Sequence, residues 1–331
     1  MPKIQRASKS FALLASTLLF PKMRAGPMNY IAKYLALAAL AVAGCSRQPP
    51  APLPAAAPLT GFDGPRALAE VSALCAISPR DAGAPGAARA ADLLAGKLRA
   101  LGVVTERQTF ADAAPGGTAT FHNVIGKIPG TGRGLIILCA HYDTKGGIPG
   151  FVGANDSGSG TGVLLELARV LKTGWRGAPE IWLAFLDGEE CRVDYGPHDG
   201  LHGSRHLAQQ LVATGRTNEV RAVILLDMIG DRDLTVTLPP NGDARLTALV
   251  LDAATVEGAR TKFGLAPGPV LDDHQPFLDA GMPAVDLIDF LYGSAPGLND
   301  YWHTATDTPD KLSAESLQTI GRVVLRMLAA L

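Results

Sequence analysis

The chain has 331 residues, 47% of them hydrophobic and 18% charged, which suits a globular protein with a sizeable core. Lys plus Arg number 30 against 31 Asp plus Glu, so there is no basic field for nucleic acid and no acidic field for cationic partners. Length permits one large α/β domain or two smaller ones.

The first informative stretch is MNYIAKYLALAALAVAGC, residues 28–45. It carries one lysine, then an apolar run too short to span a bilayer as a helix, then Val42-Ala43-Gly44-Cys45. The small-small-Cys ending resembles a bacterial lipobox. That implies lipid attachment at Cys45 and an exported, membrane-anchored protein facing the periplasm or cell surface. An ordinary signal cut at another small residue is the alternative. A second basic-then-apolar run, 11–20, precedes Met28 and makes Met28 a candidate start. Residues 1–45 are therefore read as a signal region. The Pro/Ala-rich stretch 46–60 is read as an extended tether. The folded domain is expected over 61–331.

Ala/Leu-rich spacing predicts helices over 64–77 and 86–101. Apolar strand candidates follow at 122–128, 134–140, 181–186, 221–227, 234–238 and 283–288. Helix candidates lie among them at 160–172, 203–213, 244–257 and 313–330. Strands that are apolar throughout and alternate with helices indicate a single α/β domain, its central sheet mainly parallel but mixed, with helices on both faces. Cys75, Cys139 and Cys191 permit one disulfide and one free thiol, but their spacing selects no pair, and there is no CxxC to suggest a cysteine zinc site.

Ligands in such sheets sit beyond the carboxyl ends of the strands. Here the strand ends run into His141-Tyr142-Asp143, Asp187-Gly188-Glu189-Glu190, Asp227 and, across a loop, Trp302-His303. Asn155-Asp156 stands just before a helix. Alone, Asp156 reads as an N-cap and His141 as a core histidine. Gathered at one edge, carboxylates and imidazoles demand a compensating charge, and mixed nitrogen and oxygen donors suit Zn²⁺. The run GSGTG lacks the lysine of a phosphate-binding loop and the spacing of a dinucleotide fingerprint. Trp302 is read as a pocket wall. Asp307-Thr308-Pro309-Asp310 is read as a turn and helix start, and Asp194, His198 and His202 as solvated.

His141-x-Asp143, Gly153-Ala154-Asn155-Asp156, Glu189-Glu190, Asp227-Met228-Ile229-Gly230 and His303-Thr304-x-x-Asp307-Thr308 resemble, in order, the zinc aminopeptidases of peptidase family M28. The resemblance implies that family's fold. It also implies two zinc ions held by His141, Asp156, Glu190, Asp227 and His303, with Glu189 as general base. One departure redirects it. In those aminopeptidases the paired glutamates run almost directly into GLxGS, whereas here Cys191 to Asp199 intervene. A loop of that length resembles the animal-type glutaminyl cyclases, which share the M28 fold. So do His141-Tyr142-Asp143-Thr144-Lys145, Phe151-Val152-Gly153-Ala154, Leu201-His202-Gly203-Ser204-Arg205-His206-Leu207-Ala208, Asp272-Asp273-His274-x-Pro276-Phe277 and the Trp302-His303 pair.

The cyclase resemblance implies one zinc, on Asp156, Glu190 and His303. Glu189 is then the acid/base, with Asp227 and Asp272 in a carboxylate hydrogen-bond chain to it. Tyr195 falls where the cyclases place a pocket aromatic, usually tryptophan. His141 and Asp143 would stand behind the ligands rather than bind a second metal. Asn155-Asp156, in place of Thr-Asp, is closer to the aminopeptidases. The activity so implied is closure of N-terminal glutamine to pyroglutamate on peptides or proteins, with an M28 aminopeptidase as the alternative. A catalytically silent M28-like binding domain is a third reading, since a scaffold does not dictate function.

Overall fold

The computed structural model describes residues 59–331. The signal region, Cys45 and the tether up to residue 58 lie outside the described residues. The centre of the described fold is four parallel strands, β3 (Leu135–His141), β4 (Glu180–Leu186), β5 (Val220–Asp227) and β8 (Ala284–Ile288). A long antiparallel hairpin, β1 (Val104–Ala114) and β2 (Gly117–Ile128), extends one side. The short β6 (Val236–Leu238) and β7 (Phe263–Leu265) extend the other. The order across the eight-stranded sheet is β1-β2-β4-β3-β5-β8-β6-β7, with β2 antiparallel to β4 and β6 antiparallel to β8. This is the mixed, mainly parallel α/β sheet expected.

The apolar strands divide their side chains between two cores by the two-residue period of a strand. Ile136, Leu138 and Ala140 of β3 face the larger core. It is covered by α1 (Gly64–Cys75), α2 (Pro85–Ala100), α3 (Gly160–Gly174), α5 (Ala244–Val256) and α7 (Ala314–Leu328). Leu135, Ile137 and Cys139 face the smaller core, under α4 (His202–Ala213) and the short α6 (Gln275–Asp279). Each helix expected from periodicity is present; α6, one turn behind Pro276, is an addition. The strands β7 and β1 are the others, and β1 is the longer. Only Gln108 and Ala114 of its residues are buried, so it carries no apolar run to reveal it. Cys75, Cys139 and Cys191 are all free.

From β3 the chain crosses to β4 on one side, then back over to β5 on the other. The crevice opened by that reversal lies at the carboxyl ends of β3, β4 and β5. Two close approaches hold it. A Cβ at Gly160, at the start of α3, would sit 2.1 Å from the Leu226 carbonyl oxygen. One at Gly203, in the first turn of α4, would sit 2.5 Å from Asn123 Oδ1 and within 2.8 Å of the Asp187 backbone. The second contact presses α4 onto the turn that carries Glu189 and Glu190. Gly203→Ala should therefore cost about 1–3 kcal/mol of unfolding free energy, read as a lower denaturant midpoint; an unchanged midpoint would remove the contact from this role.

Candidate active site

His141 is the last residue of β3, Asp227 the last of β5, and Glu189-Glu190 follow β4 beyond Asp187-Gly188. Asp156 comes from the turn before α3. Gly153 opens that turn at φ 55°, and a Cβ there would lie 2.4 Å from the Asp156 carbonyl oxygen, so glycine is required. The Asp156–Ser157 peptide is cis. Asp307 accepts the amides of both Asn155 and Asp156, at 2.8 and 3.1 Å, and the Tyr292 hydroxyl at 2.7 Å. Asn155 Oδ1 accepts the Gly230 amide at 2.8 Å. The buried Arg80 guanidinium donates to the carbonyls of Tyr142, Val152 and Gly153 at 2.7, 2.7 and 2.8 Å.

Held in this way, Asp156 presents its two oxygens to two imidazoles: Oδ1 lies 3.2 Å from His141 Nε2 and Oδ2 lies 3.1 Å from His303 Nε2. His141 Nε2 is also 3.3 Å from Asp227 Oδ1, and His303 Nε2 is 2.9 Å from Glu190 Oε1. The result is two donor groups that share one carboxylate, His141/Asp156/Asp227 and Asp156/Glu190/His303. Each combines imidazole nitrogen with carboxylate oxygen, the donor set that suits Zn²⁺. The second oxygen of Glu190 is buried without a hydrogen-bond partner, as expected of a ligand atom awaiting a cation. The residues fit a divalent metal.

Asp143 accepts the amides of Glu189 and Glu190 at 3.2 and 3.1 Å, which fixes the backbone of the pair. It approaches His141 Nδ1 to 3.4 Å without a hydrogen bond. Lys145 donates to the Cys191 carbonyl at 2.5 Å and its thiol at 3.0 Å, and stands 3.7 Å from Glu190 Oε2.

Glu189 has a different environment. Tyr195 Oη donates to its Oε1 at 2.8 Å. The segment 191–199 that delivers Tyr195 folds around Asp199, whose carboxylate accepts the amides of Arg192, Val193 and Asp194. Arg205 closes it by donating to the carbonyls of Gly196 and Gly200. Tyr195 is 39% exposed and Trp302 38%, so both rings stand at the mouth. Trp302 stacks on His303 with centroids 4.1 Å apart, and Phe290 meets it edge-on.

Electrostatics follow from crowded, buried carboxylates. Burial, then Glu190, Asp272 and Asp273, push the Glu189 carboxyl well above its usual range, against the pull of His141. Burial and Asp156 raise Glu190 to about 7 despite His303. Burial lowers the His303 imidazole, but Asp156 and Glu190 more than reverse this and lift it to about 9. Burial, Asp227 and Asp273 hold Asp272 well above a normal aspartate.

The expected ligands are thus brought together, and Trp302 and Tyr195 flank the mouth. Asp272 lies near both Glu189 and Asp227, and its Oδ2 is buried without a partner. Asp227 turns to His141, and Asp272 Oδ1 takes the Asp273 amide at 2.5 Å. Asp307, read as a turn signal, is instead a buried clamp on Asn155 and Asp156. His202, read as solvated, is buried, stacked on Phe121 and paired with Asp112 at 2.8 Å, whereas Asp194 and His198 are exposed. Asp286 was missed. It is fully buried on β8 with neither carboxylate oxygen hydrogen-bonded, and burial with Asp272, Asp227 and Asp273 raises it well above its usual range. Its signal was an acid inside the apolar run Pro283-Ala284-Val285-Asp286-Leu287-Ile288.

Residues 123–328 match peptidase family M28. A glutaminyl-peptide cyclotransferase-like protein of Bos taurus is 34% identical over 280 residues, 76% of this chain and 71% of its own length. The crystal structure of an Acidobacteriales bacterium glutaminyl cyclase superposes with a TM-score of 0.76 at 35% identity, covering 86% of this chain and 98% of that one. A leucine aminopeptidase precursor from Bacteroides thetaiotaomicron superposes at 0.73 with 26% identity, covering 82% of this chain and 98% of that one. With both kinds of relative on the same sheet and the M28 match spanning most of the described fold, the chain belongs to peptidase family M28.

Proposed function

We propose that this chain is a zinc-dependent glutaminyl-peptide cyclotransferase, converting N-terminal glutamine of peptides or proteins to pyroglutamate with release of ammonia. The observation that carries the reading is the segment 191–199, folded over the site so that Tyr195 donates to Glu189. The similarity to the Bos taurus protein and the Acidobacteriales cyclase supports it. Asp156, Glu190 and His303 would hold the ion. Bound there, Zn²⁺ supplies Lewis-acid polarisation of an amide carbonyl.

The chain's own residues do the rest. Trp302 and Tyr195 wall the mouth against which the glutamine side chain lies. The substrate's α-amine nitrogen bonds to the side-chain amide carbon, and the bond from that carbon to the amide nitrogen breaks. Glu189 takes the proton the amine loses and returns it to the departing nitrogen, which leaves as ammonia. Burial, and then the carboxyls that crowd Glu189, raise its proton affinity, as a proton shuttle needs. Tyr195 keeps Glu189 Oε1 engaged, which leaves Oε2 to move the proton.

The pair of donor groups sharing Asp156 favours a second reading, a dinuclear aminopeptidase in which Glu189 deprotonates water. Products separate the two. A peptide with N-terminal glutamine should yield ammonia and a pyroglutamyl end, with about one zinc per chain. Glu189→Gln should lower kcat by about 10²–10⁴-fold with the metal retained. Release of the free N-terminal amino acid, with twice the zinc, would establish the peptidase instead.

Tyr195→Phe keeps the ring and deletes the hydrogen bond, so kcat should fall about tenfold with KM little changed. A rise in KM alone would make Tyr195 only a wall.

Membrane anchoring through Cys45 is likewise proposed, supported by Val42-Ala43-Gly44-Cys45 at the end of an apolar run. Cys45→Ala should move the protein from the membrane pellet to the soluble fraction on cell fractionation; continued pelleting would refute lipidation at that residue.

A further inference from the structure

On the outer side of Tyr195 a groove of about 570 Å³ runs between α4 and α6. Leu201, Ala208 and Val212 line one bank, Leu271 and Pro276 the other, and the Tyr195 ring closes the end nearest the reacting carboxylate. Val212 is 53% exposed and Leu271 50%, so hydrocarbon faces water on both banks. Apart from the exposed Gln209, the polar side chains of the groove already have protein partners. Arg205 donates to the carbonyls of Gly196 and Gly200, Asp199 accepts backbone amides, and Gln275 donates to Asp279 at 2.7 Å. What the groove offers a ligand is an apolar surface.

The groove adjoins the active site through Tyr195. Tyr195 forms its end wall and also donates to Glu189 Oε1 at 2.8 Å. Leu271 forms a bank, and the next residue, Asp272, is buried close enough to Glu189 to raise its carboxyl. One aromatic ring therefore separates the groove from the group that acts on the substrate's first residue. An extended peptide advances about 3.3–3.6 Å per residue, so the second and third residues of a bound substrate come within reach of it.

We propose that this groove is the subsite for the residues following the N-terminal one, and that it selects apolar side chains there. The inference rests on the reading of Glu189 as acting on a peptide N-terminus. It predicts a substrate class: polypeptides whose N-terminal glutamine precedes leucine-, valine- or phenylalanine-like residues. Val212 stands on the exposed bank, so a glutamate there introduces a charge without opening the core.

The test compares kcat/KM for the peptide amides Gln-Leu-Leu, Gln-Gly-Gly and Gln-Lys-Lys with the full chain and with Val212→Glu. The wild-type protein should favour Gln-Leu-Leu over Gln-Gly-Gly by about tenfold or more, mainly through KM. Val212→Glu should bring that ratio toward unity and raise the relative rate on Gln-Lys-Lys. Equal kcat/KM for the three peptides in the wild-type protein would overturn the groove proposal and leave the cyclase reading standing. So would a ratio untouched by Val212→Glu, or sedimentation showing that the substitution dissociates a dimer, which would make the groove a contact between copies. Failure of the wild-type protein to cyclise any of the three would overturn both. Should the variant fold poorly, the wild-type ranking alone still decides.

Discussion

The site depends on one constraint: a single carboxylate, Asp156, must keep its two oxygens on two different imidazoles. A carboxylate free to rotate would not hold that split. Here Asp307 grips the backbone amides of Asn155 and Asp156, Tyr292 fixes Asp307, and Asn155 reaches across to Gly230. Arg80 takes the carbonyls of the flanking turns. These bonds are buried, where an unmade partner costs about 1–3 kcal/mol, so alternative turns are strongly disfavoured. The partners come from segments spread between α1 and α7. The geometry of one aspartate is therefore a property of the whole fold.

Charge makes the same point. Asp156, Glu189, Glu190, Asp227, Asp272, Asp273 and Asp286 are all buried near the carboxyl edge of the sheet, against His141, His303, Arg80 and the half-buried Lys145. Burial first, and then the negative excess that the protein cations leave, hold several of these carboxyls far above their ordinary range. A divalent ion at the shared carboxylate offsets that excess. The two glutamates then divide their roles. Asp143 pins both amides, Glu190 turns to His303, and Glu189 turns to Tyr195.

Much of this was legible because burial on both faces leaves a plain mark: β3, β4, β5 and β8 are apolar runs, and their ends carry the donors. The hairpin strand β1 left no such mark, since only Gln108 and Ala114 of its residues are buried. Asp307 was legible as a residue but not as a clamp, because its partners lie about 150 positions away and no local pattern records them. His202 looked solvated beside a polar loop, but the hairpin folds over it and supplies both Phe121 and Asp112. Asp286 was legible in principle, as an acid inside a core strand. The hydroxyl of Tyr195 was not: the sequence pointed to an aromatic, and only the fold of 191–199 turns its oxygen to Glu189.

That last contact bears on why the ligands themselves do not separate ring closure from hydrolysis. Both reactions need the same cation neighbours and the same base. They differ in the nucleophile. In both, the atom that loses a proton and the nitrogen that gains one are bonded to the same carbon once attack has occurred. Hydrolysis must admit a water molecule beside Glu189, whereas in ring closure the nucleophile is the substrate's own amine. Tyr195 occupies Glu189 Oε1, and among the described residues Oε2 accepts no hydrogen bond. A carboxylate under a loop that narrows its approach is matched to a nucleophile that arrives as part of the substrate.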